Sequence, residues 1–453
     1  MTAAEKRTKI AELKKKIDET QSEYDRAKAM NLALKLTLNG TYGAFAHPKF
    51  VLSNSHIANA ITAMGRDVIQ YMLKKIEKYF YTQWHLDVES HKKLGIEYIA
   101  EKEGKYYLLN RLGENVHYPQ NSLNELIEKL NIIKSDLIED KKELKGYNIL
   151  CYRNIHDFSN VQPIPKEEEL IIYGDTDSLY VSFTPVAKSC NFKGDILDFI
   201  LHLDRVVIKK IFNQYLDEYA AKFGVKNIHD FELETINRSA LHIQKKNYIN
   251  NVVWEDGIFY ENLSYFYPKG VEIVKSSTPL FVRENIYEFL RYIFANPDDL
   301  NIRKILVLVK DLKKQFMMAD IEDISMTTSC SNYQTKVIDD VTDVVTVKGA
   351  HFAIKAAALH NYLLNKNSEY KTKYDNIRGG RIKYYYCNHP KNDVFGYMRS
   401  MHPYEIVEKE GVKIDYDEQF DVCMLNLINR LIDPIGLPTI NKRITVLNNI
   451  FSI

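Results

Sequence analysis

Cysteine is scarce: Cys151, Cys190, Cys330, Cys387 and Cys423 are the five in 453 residues. They are scattered without a CxxC pair, which excludes a disulfide framework and a cysteine-bound zinc site and predicts reduced thiols. Long apolar runs are missing as well. Nothing approaches the roughly 20 unbroken apolar residues of a membrane helix, and the charged N-terminus lacks the apolar centre of a signal peptide. A soluble intracellular protein with no membrane partner is expected. Neither sign of charge dominates, with 61 Lys and Arg against 60 Asp and Glu, so attraction to a polyanion would have to come from local stripes rather than from net charge. No internal repeat or low-complexity tract stands out.

What is present is a chain long enough for two or three subdomains, 45% hydrophobic and 27% charged. Basic stripes occur at Lys6, Arg7, Lys9 and Lys14 to Lys16, at Lys245 and Lys246 beside Tyr248, and at Lys269 and Lys275 around an apolar run. Each alone reads most simply as a solvated face. Ile10, Leu13 and Ile17 predict a helix over 2–23, the leucines from Leu32 to Leu38 a second over 25–38, and the two together an αα-hairpin. Ala58 to Phe80 reads as a further helix. Residues 81–169 change character and read as an insertion or accessory lobe, with a charged helix over 123–144. There His85, Asp87, Glu89 and His91 alternate: they are either an exposed polar strand or metal ligands on one strand face. Further on, strands are expected at 231–236, 246–254, 258–263 and 381–387, with a turn at Asp256-Gly257. Helices are expected over 192–223, from Pro279 to about Lys314, and at 353–364 and 421–431. The fold class is α+β.

Two stretches carry chemistry. In Ile171-Ile172-Tyr173-Gly174-Asp175-Thr176-Asp177-Ser178-Leu179-Tyr180-Val181, apolar strand runs flank a turn. The two carboxylates stand two residues apart and so share one side, which suits a cation site; an ordinary acidic turn is the plainer alternative. In Lys35-Leu-Thr-Leu-Asn39-Gly-Thr-Tyr42-Gly43, helical spacing puts Lys35, Asn39 and Tyr42 on one face, and Gly43 leaves room for close approach. A cation, an amide and a ring so aligned can meet a triphosphate, its sugar and a base.

Together these stretches resemble the KxxxNSxYG and YGDTDS motifs of family B DNA polymerases, closest to tailed-phage replicative enzymes. Downstream, Lys245-Lys246-Asn247-Tyr248 resembles the KKRY element at the primer terminus, and the run from Lys269 through Lys275 and Ser276 to Pro279 resembles the passage from palm to thumb. The resemblance covers about 24–80 and 170 to the end. It implies a right-hand architecture: fingers at 1–57, a palm helix at 58–80, palm with the catalytic hairpin at 170–268, and thumb with C-terminal tail at 269–453. It implies template-directed DNA synthesis with two Mg²⁺ ions, Asp175 and Asp177 being catalytic and metal-binding and Glu234 an outer metal residue. Lys35, Asn39, Tyr42 and Gly43 would bind the dNTP, with Arg7 as a second triphosphate cation. Lys245, Lys246, Tyr248, Lys269, Lys275 and Ser276 would hold primer-template DNA. Leu447, Ile450 and Phe451 in the apolar tail would dock on a sliding clamp, with a tail packed on its own thumb as the alternative. The location implied is cytoplasmic, in the host cell if the source is viral.

The sequence departs from the family pattern at Gly40, where serine is usual, and at Asn247, where arginine is usual. Nothing in 1–34 resembles the exonuclease domain or the DxxSLYPS motif that supplies the other metal-bridging aspartate. The expectation is a C-terminal half that works with a second chain carrying those parts. An inactive remnant or accessory subunit that grips primer-template is the alternative, and a truncated gene would have the same sequence.

Overall fold

A computed structural model describes residues 3–175, 178–261, 263, 265–331, 333, 351–398 and 402–441. The fold is α+β with antiparallel sheets. The chain divides into two compact units, Met1–Glu232 and Leu233–Ile453, a division that falls inside the segment expected as palm. No helix among the described residues is long and apolar enough to cross a membrane.

The first unit opens with α1 (Ala3–Ala46). The sequence predicts two helices here, and the structure has one. Nothing between Gln21 and Asp25 stops a helix; instead Gln21 Nε2 donates to Asp25 Oδ1 at 3.0 Å, one turn on. Gly40 is passed through as well, and the helix ends just before His47-Pro48, where proline disfavours helical backbone in the preceding residue. The return is made by α2 (Ser55–Thr82), capped by Asn54 Oδ1, which accepts from the backbone of His56 and Ile57. Asn54 N in turn donates to Phe45 O at 3.0 Å. The buried stripe Val68, Met72, Ile76, Tyr79 and Phe80 on α2 recurs at three and four residues.

After α2 the chain makes α3 (Val88–Leu94), not the alternating strand that His85 to His91 suggests. Asp87 is the helix cap: its carboxylate accepts from Ser90 N at 3.0 Å, Ser90 Oγ at 2.7 Å and Tyr79 Oη at 2.8 Å. His91 turns inward, edge-on to Trp84 at 4.6 Å, so the metal reading fails. Four strands follow, β1 (Ile96–Lys102), β2 (Lys105–Asn110), β3 (Ile138–Leu144) and β4 (Tyr147–Asn154), in the order β2-β1-β4-β3. Helix α4 (Leu123–Lys129) lies between β2 and β3 in sequence. The charged helix expected over 123–144 is thus cut short, and its far end is the strand β3. Asn131, at φ 49°, takes the left-handed position after α4, and Ile132 N bonds back to Ile127 O at 2.9 Å in a Schellman closure. The hairpin β5 (Ile171–Gly174) and β6 (Leu179–Val181) comes next, then α5 (Thr184–Ser189), α6 (Ile196–Leu203) and, after one π turn, α7 (Lys209–Ala221).

In the second unit β7 (Thr235–Gln244), β8 (Asn247–Glu255), β9 (Ile258–Phe259) and β10 (Phe266–Lys269) form one antiparallel sheet. The strand expected at 231–236 begins only at Thr235, and the one expected at 258–263 is two residues long. Asp256 and Gly257 make the expected turn, with φ 47° and 88°. Helices α8 (Leu280–Ala295) and α9 (Ile302–Met318) share a core with Phe352–Lys366 and with a sheet ordered β11 (Met326–Cys330), β12 (Gly380–Asn388), β13 (Val394–Met398). All five cysteines are buried free thiols.

Glu97 on β1 is fully buried and ties the four-stranded sheet to α6 and the π turn. Its oxygens take His202 Nδ1 at 2.6 Å, Arg153 Nη2 at 2.7 Å and Arg205 Nη2 at 2.9 Å. Burial alone would raise the Glu97 carboxyl, but His202, Arg205 and Arg153 outweigh it and hold it well below the ordinary range. With the folded value below the unfolded one, the ionised group contributes stability above the usual carboxylate range and loses it as pH falls through the folded value. Glu97→Ala should therefore lower unfolding stability by about 3–5 kcal/mol near neutral pH, followed by urea denaturation at Trp84. The gap to wild type should narrow below about pH 4; a gap constant with pH would count against the ionic origin.

Candidate functional site

The hairpin β5–β6 stands on Leu170, which is fully buried and whose carbonyl accepts from Ser182 N at 2.7 Å. Tyr173 pairs with Tyr180, their rings 5.7 Å apart, and Gly174 pairs with Leu179. A Cβ on Gly174 would lie 3.6 Å from Leu73 Cδ1 and 3.9 Å from Ile69 Cγ2, so this strand rests against α2. Asp175 N donates to Ser178 O at 3.0 Å and closes the turn. The Asp175 residue is half-buried at the mouth of the hairpin. Asp177 lies outside the described residues. Among those described, no three His, Cys, Asp or Glu are grouped to hold a metal ion.

Lys35, Asn39, Tyr42 and Gly43 are all exposed on α1, and nothing comes within 4 Å of a Cβ placed on Gly40 or Gly43. Thr37 and Thr41, on the side of the helix away from the motif residues, donate their hydroxyls to the carbonyls of Ala33 and Thr37, one turn back. Arg7 is on the same unbroken helix as Lys35. At 1.5 Å rise per residue, their 28-residue separation is roughly 40 Å along the helix axis.

In the second unit, the turn Lys245-Lys246 joins β7 to β8, and both lysines are exposed. Lys246 has φ 65°, a left-handed backbone that costs a side-chain-bearing residue about 1–2 kcal/mol. Tyr248 is 1% exposed, against His242 with ring centroids 5.4 Å apart and under Lys269 Nζ at 5.7 Å. It supports the turn instead of offering a surface, contrary to its expected part at the primer end. Gly270, at φ 70°, packs into this turn: a Cβ there would fall 2.2 Å from Lys246 O. With its amide nitrogen turned inward, Asn247 donates to Gly270 O at 3.1 Å and to Lys246 O at 3.0 Å. The departure from the family's arginine is thus a neutral internal brace.

Lys275 and Ser276 are exposed. Two arginines that spacing gave no hint of join this stretch from far along the chain. Arg381 Nη2 donates to Ser276 Oγ at 3.2 Å, and Arg430 Nη2 pairs with Glu272 Oε2 at 2.5 Å. Glu234 is exposed just before β7, its carbonyl accepting from Asp256 N at 3.1 Å. Leu447, Ile450 and Phe451 lie outside the described residues.

The model of the family described as DNA polymerase family B matches residues 3–435. That is nearly the whole chain, and the protein belongs to this family. No curated protein matches it. Membership implies primer-template DNA and deoxynucleotides as ligands.

The brace at Gly270 sets up a comparison. Gly270→Ala should cost about 1–3 kcal/mol from its backbone conformation alone, and more from the collision with Lys246 O. Gly257→Ala, also at positive φ but with open space around it, should cost less. Thermal unfolding followed at Trp254 measures both, and equal losses would show that the contact with the Lys245-Lys246 turn contributes nothing.

Proposed function

We propose that this chain supplies the helical fingers, the rear of an antiparallel-sheet palm and a mostly helical thumb of a family B DNA polymerase. The supporting observation is the succession, in one chain matched by the family over 3–435, of a lysine-bearing helix face and an aspartate hairpin rooted in a buried core. Lys35 meets the triphosphate of the incoming nucleotide, and Asn39, Tyr42 and Gly43 line the nascent pair. Lys245 and Lys246 meet the primer backbone from their exposed turn, with Tyr248 and Gly270 positioning them. Lys269, Lys275 and Ser276 continue this track, and phosphate contacts of this kind are sequence-neutral.

Asp175 and Asp177, with Glu234 further out, are hard oxygen donors of the type Mg²⁺ prefers. A pair of such ions, when bound, lowers the pKa of the primer 3′-hydroxyl and neutralises the departing pyrophosphate. The residues that hold them are completed by the aspartate of a DxxSLYPS motif, which the test below supplies on a second chain together with an exonuclease domain. The tail with Leu447, Ile450 and Phe451 docks on a sliding clamp.

Primer extension with Mg²⁺ and dNTPs tests this reading, using the chain alone, with a partner chain carrying the exonuclease and DxxSLYPS sequences, and with Asp177→Ala. Extension is expected only with both chains, and a loss of at least 100-fold, on the order of one oriented electrostatic group, is expected in the variant. Primer-template binding without extension in every combination would favour a DNA-gripping remnant.

A further inference from the structure

The sheet β2-β1-β4-β3 has two unlike faces. One carries Ile99, Leu108 and Cys151 against Leu126 and Ile127 of α4. The other is built from strand residues alone: Tyr98, Ala100, Leu109 and Ile149 form its floor, with Tyr107, Leu144, Tyr147 and Tyr152 half-buried around them. Register places them together, since Tyr98 faces both Leu109 and Tyr152, Ala100 faces Tyr107 and Ile149, and Leu144 faces Tyr147. The sheet is curled around this face. Leu144 Cγ of one outer strand is 2.9 Å from where a Cβ on Gly113 would be, and Gly113 is in the turn leaving the other outer strand.

The tyrosines are paired, Tyr107 with Tyr147 at 5.0 Å and Tyr98 with Tyr152 at 6.2 Å. A lysine sits over each pair, Lys102 Nζ 5.0 Å above Tyr147 and Lys142 Nζ 4.4 Å above Tyr98. Lys105, opposite Lys102 in register, adds a third amine. Asp140 neutralises Lys142 at 2.7 Å, while Lys102 and Lys105 have no carboxylate partner among the described residues. Flat rings beside uncompensated amines in a concave strip match the alternation of base and phosphate in a single strand, and an open sheet with a helix behind it is a shape on which bases stack. A protein partner would match the rings but would leave the amines over them unpaired.

We infer that this face binds single-stranded DNA, bases on Tyr107, Tyr147 and Tyr152 and phosphates on Lys102 and Lys105. The inference rests on the polymerase reading only for the presence of an unpaired strand, and its test needs neither nucleotide nor metal. Binding of a labelled oligo(dT) and of a blunt primer-template duplex to the full chain is measured by fluorescence anisotropy over a salt series. For Tyr107→Ala with Tyr147→Ala, oligo(dT) affinity should fall by at least about fivefold, the smallest effect of losing even one stacked base, with duplex affinity unchanged. Tyr107→Phe with Tyr147→Phe should retain binding, which separates stacking from misfolding. Lys102→Gln with Lys105→Gln should make the log–log salt dependence of oligo(dT) binding shallower by about 1.4, the slope lost with two single-strand phosphate contacts. Unchanged oligo(dT) binding in the alanine variant, or equal loss for oligo(dT) and duplex, would overturn the assignment. A chain that fails to extend primers yet shows the selective loss would leave it standing.

Discussion

Burial of the apolar stripe on α2 is the constraint on which the first unit rests. Val68, Met72, Ile76, Tyr79 and Phe80 share one cluster with Leu170 just before the β5–β6 hairpin, and with Phe199, Val207 and Phe212 from α6, the π turn and α7. Ile69 and Leu73 of the same helix lie under Gly174. The position of Asp175 is therefore fixed from below by side chains that have no chemistry of their own. A side chain that must keep a fixed position needs such a base, because a shift of an ångström in a flexible loop would undo the geometry.

The second unit meets a similar demand with a smaller device. A turn of two lysines has strong reasons to splay, since its charges repel and Lys246 occupies a left-handed conformation. Asn247 and Gly270 counter this by clasping backbone to backbone, and Lys269 covers Tyr248 from outside. Asparagine suits the clasp because a short amide can reach two carbonyls at once, whereas arginine would carry its donors outward. The substitution thus adds local rigidity at the turn.

Elements with strong internal signals were legible in the sequence: α2 from its apolar period, β5–β6 from the apolar runs around Gly174 and Asp175, and the Asp256-Gly257 turn from its residue types. The boundaries that failed were set by single hydrogen bonds or by missing ones. Asp87 and Ser90 made a helix cap out of an alternating pattern, Asn131 ended a charged helix early, and the lack of any stop near Glu23 let α1 run on. Arg381 and Arg430 escaped notice because they reach Ser276 and Glu272 across more than a hundred residues of chain, a proximity that only the folded β12 and the last helices create. Tyr248 was misjudged for a related reason, since a sequence shows that a ring is present but not which side of a sheet it faces.

The four-stranded sheet shows how such a chain can carry an extra lobe without disturbing what lies around it. Gly95 O accepts from Ile155 N at 2.9 Å, so the segment leaves and re-enters at one point. Trp84, Leu94, Phe158 and Ile164 on either side belong to the α2 core, which makes the lobe proper narrower than the stretch of altered composition. A lobe on so narrow a neck would swing if packing alone held it. The Glu97 cluster prevents this by joining β1 and β4 to His202 and Arg205 through short ionic bonds, and such bonds lose their strength if any partner moves. Fixed orientation is of little use to a lobe that serves only as filler. It matters for a surface that must present the same rings and amines to a passing strand each time.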